Sequence, residues 1–254
     1  MKVLILVQST DNSYYQPLIE AQQQTWDSVP HPDVTLVYDK PDPNKEELNG
    51  NVLDVCHNKR GDHAFFSLMK AMRFMLKKEQ WDYIIKTDNS IYINKEKLYE
   101  LLLTKPREKY FGGQPITYDN LSEESKKSFP TDVKFLWGEM LILSRDCAVH
   151  LVDAFNKAPL KGIGSDDIII SHILQNYCTW DESIKIELNE ENLSGYAYRV
   201  RRATLMYSPL FALPSNIKEV IDSDITIMKK IHNIITNGKT DNRERIPQEA
   251  QDQA

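Results

Sequence analysis

Short apolar runs alternate with helix-spaced apolar positions along this chain. Val3-Leu4-Ile5-Leu6-Val7 has the length of a buried strand and stops at Gln8. Turn formers follow at Ser9-Thr10-Asp11-Asn12-Ser13. Residues 15–27 then suit a helix that Pro30 and Pro32 keep from continuing. Val34-Thr35-Leu36-Val37-Tyr38 reads as a second strand, closed by Asp39-Lys40-Pro41-Asp42-Pro43. Strand, helix, strand is a βαβ unit, which implies a largely parallel sheet.

Residues 44–61 are polar and loop-like, with a short strand at Val52-Leu53-Asp54-Val55. Asp62 is placed to cap a helix on which Phe65, Leu68, Met69, Met72, Met75 and Leu76 recur at helical spacing. That stripe reads as a core face rather than a cofactor box. Tyr83-Ile84-Ile85 feeds into Lys86-Thr87-Asp88-Asn89-Ser90, and Ile91-Tyr92-Ile93 follows. A buried strand that ends on a carboxylate is where open α/β sheets place ligand chemistry. An Asx turn explains the same residues equally well.

Beyond it, residues 95–103 suit a short helix and Tyr110 to Pro115 a strand. Residues 117–134 are polar and expected to be exposed. Phe135 to Ser144 is an apolar strand containing Gly138 and Glu139, and a Glu inside such a run needs a partner. A helix over 145–156 leads to the loop Gly162 to Asp167, and a helix capped by Ser165 or Asp166 continues through Leu174. Strand-like pieces at 184–186 and 203–207 flank Arg199-Val200-Arg201-Arg202. The last helix is expected over 215–236, stopped by Asn237-Gly238, with a disordered tail over 237–254.

Composition narrows the function classes. The 254 residues suit one large α/β domain, with a net charge of −6 and 27% charged residues. That charge argues against a nucleic-acid partner. No apolar run reaches transmembrane length, so a soluble, cytoplasmic protein is expected. The three cysteines, Cys56, Cys147 and Cys178, are widely spaced and show no zinc pattern; free thiols in a reducing compartment are the simplest account. No phosphate-binding GxxxxGK[ST] loop is present.

Acidic residues recur at strand ends and loop–helix junctions: Asp88, Glu139 and Asp166-Asp167. Such carboxylates suit metal–phosphate binding or proton abstraction, although each could instead be a local cap.

Four segments, in order, resemble the GT-A glycosyltransferases, within them the β-1,3-galactosyltransferase/Fringe-like group. They are Lys86-Thr87-Asp88-Asn89-Ser90-Ile91-Tyr92-Ile93-Asn94, Tyr110-Phe111-Gly112-Gly113, Trp137-Gly138-Glu139-Met140-Leu141-Ile142-Leu143-Ser144, and Asp166-Asp167-Ile168-Ile169-Ile170-Ser171. Gln24-Thr25-Trp26 resembles the group's opening motif. The resemblance spans about residues 3–210 and implies a GT-A, Rossmann-like domain over 1–236. A nucleotide-sugar half would occupy about 1–105 and an acceptor half about 106–236. It implies inverting transfer of a hexose or related sugar from a nucleoside-diphosphate sugar, UDP favoured, to a saccharide hydroxyl.

The resemblance also implies site roles. Asp88, Asn89 and Ser90 occupy the donor (DxD) site, with Ser9 and Asp39 at the nucleoside. Lys86 and Lys70 match lysines near that site. Asp167 aligns with the general base, and Asp166 with its acidic neighbour. Trp137, Gly138, Glu139 and Gly113 line the sugar or acceptor pocket. The implied metal is Mn²⁺ or Mg²⁺ at Asp88. However, Ser90 stands where the family has its ligating carboxylate, and a hydroxyl is a poorer ligand for a hard cation. Lys86, Arg199, Arg201 and Arg202 are alternative cations for a diphosphate, unless the arginines form a solvated strand face. A non-catalytic nucleotide-sugar or glycan-binding relative and, with less support, a nucleotidyltransferase are the other readings.

Overall fold

The computed structural model of the chain describes residues 1–9, 15–42, 44–56, 63–120, 126, 134–157, 166–187, 193–200 and 217–243. The expected cap Asp62, the Ser165 cap, the strand over 203–207, Arg201, Arg202 and the last eleven residues fall outside that set, as does most of the polar segment 117–134.

Strands β1 (Val3–Gln8), β2 (Val34–Asp42), β4 (Val52–Cys56) and β5 (Tyr83–Asp88) lie parallel at the centre of an eight-stranded sheet, with β3 (Glu47–Asn49), β7 (Tyr110–Thr117), β8 (Lys134–Ser144) and β9 (Thr179–Asp181) outside them in the order β3-β4-β2-β1-β5-β8-β7-β9. β8 (Lys134–Ser144) runs antiparallel to β5 and to β7 (Tyr110–Thr117), and β9 (Thr179–Asp181) closes that side parallel to β7. The expected α/β architecture, a mostly parallel central sheet flanked by helices, is therefore present.

Why the central strands read as unbroken apolar runs is visible in their packing. Val3, Ile5 and Val7 face one core, together with Leu18 and Ile19 of α1 (Gln16–Gln24), Leu98 and Leu102 of α3 (Lys95–Leu103), and Ile221, Met228 and Ile231 of α6 (Ile217–Arg243). Leu4 and Leu6 face the other core. There they meet Leu68, Met69 and Met72 of α2 (His63–Lys78), Leu151 and Val152 of α4 (Arg145–Lys157), and Ile169 and Ile170 of α5 (Asp166–Leu174). A strand covered on both faces has no polar side to alternate with. The Met-rich stripe of α2 is core, as expected.

Several expectations are corrected. β2 runs past Tyr38 to Asp42 despite Pro41. Its pairing with β1 ends at Asp39, and beyond that β4 alone flanks it among the described residues, which suits Pro41. Residues 47–49 are not loop but β3 (Glu47–Asn49), hairpinned to β4 through Gly50, whose φ is 60°. Residues 184–186 form no strand. Ile184 and Ile186 are buried, but the Lys185 N–H donates to the Tyr196 hydroxyl and the Ile186 N–H to Gln114 Oε1, so side chains replace a ladder. α6 continues past Asn237-Gly238 to Arg243, because one Gly in a helix costs about 1 kcal/mol and does not by itself end it. The free-thiol account also fails, since Cys147 and Cys178 are disulfide-bonded. Their 31-residue separation says nothing of the distance between them once α4 and α5 pack together.

Candidate functional site

The C-terminal edge of the parallel strands places Gln8 opposite Asp39 on one side and opposite Asp88 on the other. Two carboxylates from distant parts of the sequence thus share one register row, with Gln8 between them. Side chains repeat every second residue along a strand, so Lys86 and Asp88 leave β5 on the same face.

Lys86 is buried. Its ammonium lies 3.2 Å from Asp166 Oδ2, at the start of α5, and donates to the Gly138 carbonyl of β8. Burial opposes its charge, but Asp166, Asp88 and Asp167 outweigh that and hold its pKa above the ordinary lysine value. Asp167, also buried, accepts the Gly138 N–H at 3.3 Å and the Ile168 N–H at 3.0 Å. Gly138 is a glycine for a steric reason. A Cβ there would stand 2.9 Å from Asp167 Cβ and 3.2 Å from Lys86 Nζ. The strand β8 therefore approaches the Lys86–Asp166–Asp167 group as closely as a backbone can.

Asp88 Oδ1 accepts both the N–H of Ser90 (2.7 Å) and its hydroxyl (2.6 Å). The turn reading and the site reading of this stretch are thus compatible, since the carboxylate caps its own turn while facing the cluster. Asn89 and Ser90 are buried. The turn is held from below by Gln22 of α1, whose Nε2 donates to the carbonyls of Asp88 (3.4 Å) and Ile91 (3.2 Å). It is held from the side by Val200, whose N–H donates to the Ser90 carbonyl. Val200 follows β10 (Ala197–Arg199), which pairs antiparallel with β6 (Ile91–Ile93).

That pairing brings Arg199 to the site. Its Nη2 is 2.9 Å from Glu139 Oε1, and its guanidinium stacks over Trp137, 4.7 Å from the ring centroid. The partner required by a buried Glu139 is therefore an arginine sixty residues downstream.

Asp39 has no solvent exposure. Its oxygens accept the Ser9 N–H (2.7 Å) and the Ser67 hydroxyl (3.3 Å), so it holds Ser9 in place rather than presenting a free carboxylate. Burial pushes its carboxyl up to about 7; the Ser9 and Ser67 hydrogen bonds and the Lys86 charge only partly offset this, and Asp166 adds to it. Lys70 is half-buried, one turn beyond Ser67 on α2. Gly113 lies within the sheet, where a Cβ would stand 2.9 Å from Leu136 Cβ, so close packing of β7 on β8 explains it.

Gln8, Gln22, Ser67 and the Glu139–Arg199 pairing are not singled out by motif. Gln22 carried a signal nonetheless, because it falls four residues after Leu18, on the apolar face of α1. A cleft of about 800 Å³ lies at the opposite edge of the sheet, lined by Lys2, Asp82, Arg107, Arg145 and Asp146 among others. It is formed at strand beginnings, away from the carboxylate cluster.

No helix among the described residues is long and apolar enough to cross a membrane. No family model matches the chain, and no curated relative is detected by sequence. Among solved structures it is similar to galactosyltransferase LgtC in complex with donor and acceptor sugar analogs, at 9% identity and TM-score 0.43, covering 71% of this chain and 73% of that one. It is similar to the glycosyltransferase GlyE of Streptococcus pneumoniae, at 10% identity and TM-score 0.47, covering 94% of this chain and 63% of that one. It is also similar to 2-C-methyl-D-erythritol 4-phosphate cytidylyltransferase of Thermus thermophilus, at 12% identity and TM-score 0.41, covering 72% and 89%. Likenesses of this extent leave the reaction to be argued from the chain's own residues.

Proposed function

We propose that this chain is an inverting glycosyltransferase of GT-A type, moving a hexose or related sugar from a nucleoside-diphosphate sugar to a saccharide hydroxyl. The observation that carries the reading is the convergence of Asp88, Lys86, Asp166, Asp167 and Gly138 from β5, α5 and β8 at the C-terminal edge of the sheet.

Transfer requires an acceptor oxygen to bond to the anomeric carbon as the bond to the diphosphate oxygen breaks. The electron pair leaves with the diphosphate, and the acceptor proton must go to a base. Asp167 is that base in this reading. Its two backbone donors fix the carboxylate plane, and Asp166 is held apart from it by the ion pair to Lys86. Ser9, held by Asp39, meets the nucleoside end, and the Asp88–Asn89–Ser90 turn meets the ribose and diphosphate. Trp137 and Glu139, fixed by Arg199, border the sugar or acceptor.

The test is a screen of nucleoside-diphosphate sugars with saccharide acceptors, read by chromatography of the released nucleotide. Free nucleoside diphosphate is expected; release of pyrophosphate would instead identify a nucleotidyltransferase. Donor binding without either product would identify a binding protein. Asp167→Asn is expected to lower kcat by about 10²–10⁴-fold while the Kd for nucleoside diphosphate changes only a few-fold. Loss of nucleotide binding in that variant, or retained turnover, removes Asp167 as the base.

A further inference from the structure

We infer that the Lys86 ammonium is itself the cation of the carboxylate cluster, and that the site therefore does not recruit a divalent ion through Asp88. The inference deepens the donor-site reading and rests on it for what the cluster binds.

A carboxylate oxygen and a backbone carbonyl meet the lysine, with two further carboxylate charges nearby. Lys86 Nζ is 3.2 Å from Asp166 Oδ2 and donates to the Gly138 carbonyl, while Asp88 and Asp167 are close enough to act on its charge. Carboxylates and a backbone carbonyl are the donors a hard divalent cation uses. Here Asp166 and the Gly138 carbonyl are turned toward an ammonium. Part of the carboxylates' remaining capacity is taken up as well. Asp88 Oδ1 takes two donors from Ser90, and Asp167 takes the amides of Gly138 and Ile168. Among the described residues no three His, Cys, Asp or Glu side chains come together in a way that could hold a metal ion. The residues present do not fit a divalent ion while Lys86 stands among them.

The ammonium has little freedom to leave. It is buried against β8, and Gly138 has no side chain to yield space. Withdrawing it would leave the half-buried Asp166 without its ion-pair partner and the buried Asp167 without a nearby positive charge, which is unfavourable. Removing it by mutation is another matter. Lys86→Ala empties the shell and frees oxygen donors from β5, α5 and β8. The Asp166 oxygen and the Gly138 carbonyl that held the ammonium are then open to Mn²⁺, which completes its coordination with water.

The experiment is a titration of the intact protein with Mn²⁺ alone, followed by the loss of the free-ion electron paramagnetic resonance signal. The wild type is expected to show no stoichiometric Mn²⁺ binding in the micromolar range. Lys86→Ala is expected to gain one site, with an affinity at least roughly ten-fold higher than wild type, because a competing positive charge leaves and a carboxylate is freed from its ion pair. Adding Asp166→Asn to that variant is expected to weaken the gained site. One Mn²⁺ bound by the wild type at micromolar concentration and lost in Asp88→Asn overturns the inference, as does a Lys86→Ala variant that folds and gains nothing. If Lys86→Ala does not fold, the wild-type and Asp88→Asn titrations still decide. A parallel UDP titration in EDTA and in Mn²⁺ separates the two readings. UDP binding that is equal within about two-fold in both supports both readings, and binding that needs Mn²⁺ overturns the inference. Absence of nucleotide binding in both solutions overturns the glycosyltransferase reading, while the Mn²⁺ titrations continue to decide the role of Lys86.

Discussion

Asp39 shows how a single side chain couples the fold to pH. It is fully buried, and burial raises its carboxyl from 3.8 to about 7. The folded chain therefore binds this proton more tightly than the unfolded chain does. The stabilisation is complete below about pH 4 and is lost as pH rises towards about 7. Asp39→Asn mimics the protonated form and keeps the Ser9 contact. Its stability in urea is expected to lack this pH dependence, and near pH 7 to exceed that of wild type by an amount on the order of a few kcal/mol. An equal pH slope in both proteins would count against the raised value. Gly138 is a second case. Gly138→Ala puts a methyl group 2.9 Å from Asp167 Cβ, where neither partner can yield cheaply. A loss of about 1–3 kcal/mol in stability is expected, with a further loss of turnover because Asp167 and Lys86 must both shift. Asp88, Glu139 and Asp166-Asp167 were legible as candidates because acids in or beside apolar runs are conspicuous. Asp39 was legible only as the end of a strand, and its burial depends on Ser9 and Ser67 arriving from other elements.

At the scale of elements, α1 supports the donor turn from beneath. Gln22 makes that link, through the Asp88 and Ile91 carbonyls. Gln22→Leu roughly keeps the volume but removes the donor to the buried Ile91 carbonyl and the shorter of two donors to that of Asp88. A drop of about 1–3 kcal/mol is expected in denaturant unfolding, together with weaker nucleotide binding, since the Asp88 turn loosens. Unchanged stability would show that the turn stands without α1. Helices and central strands were largely legible, because continuous apolar runs and helical spacing report burial directly. The residues of α3, 95–103, match the pattern to the residue. Edges were less legible. The hairpin at Asn49-Gly50 carries a turn signal, but β3 is too short and polar to show as a strand. The extent of β2 beyond Tyr38 follows from where its neighbours stop, which no local pattern contains.

Across the whole molecule, the Cys147–Cys178 bond ties α4 to the segment that follows α5. A thiol assay on unfolded, unreduced protein is expected to find one thiol, that of Cys56, rather than three. Reduction is expected to lower stability by about 2–4 kcal/mol, the scale for closing a loop of this length. Finding three thiols would leave the two cysteines as ordinary core residues. The sequence by itself determined the layered α/β character, the core stripes and the chemical types available, since these depend on periodicity and composition. It also brought Asp88-Asn89-Ser90 forward as the centre of interest. The tertiary structure decided which charges meet. It placed Asp39 and Asp88 in one register row with Gln8 between them, gave Glu139 its arginine, and set Lys86 among three carboxylates from β5 and α5. The reason is physical. Strand order, register and the closeness that Gly138 permits are properties of packed elements, and a charge finds its partner only through them.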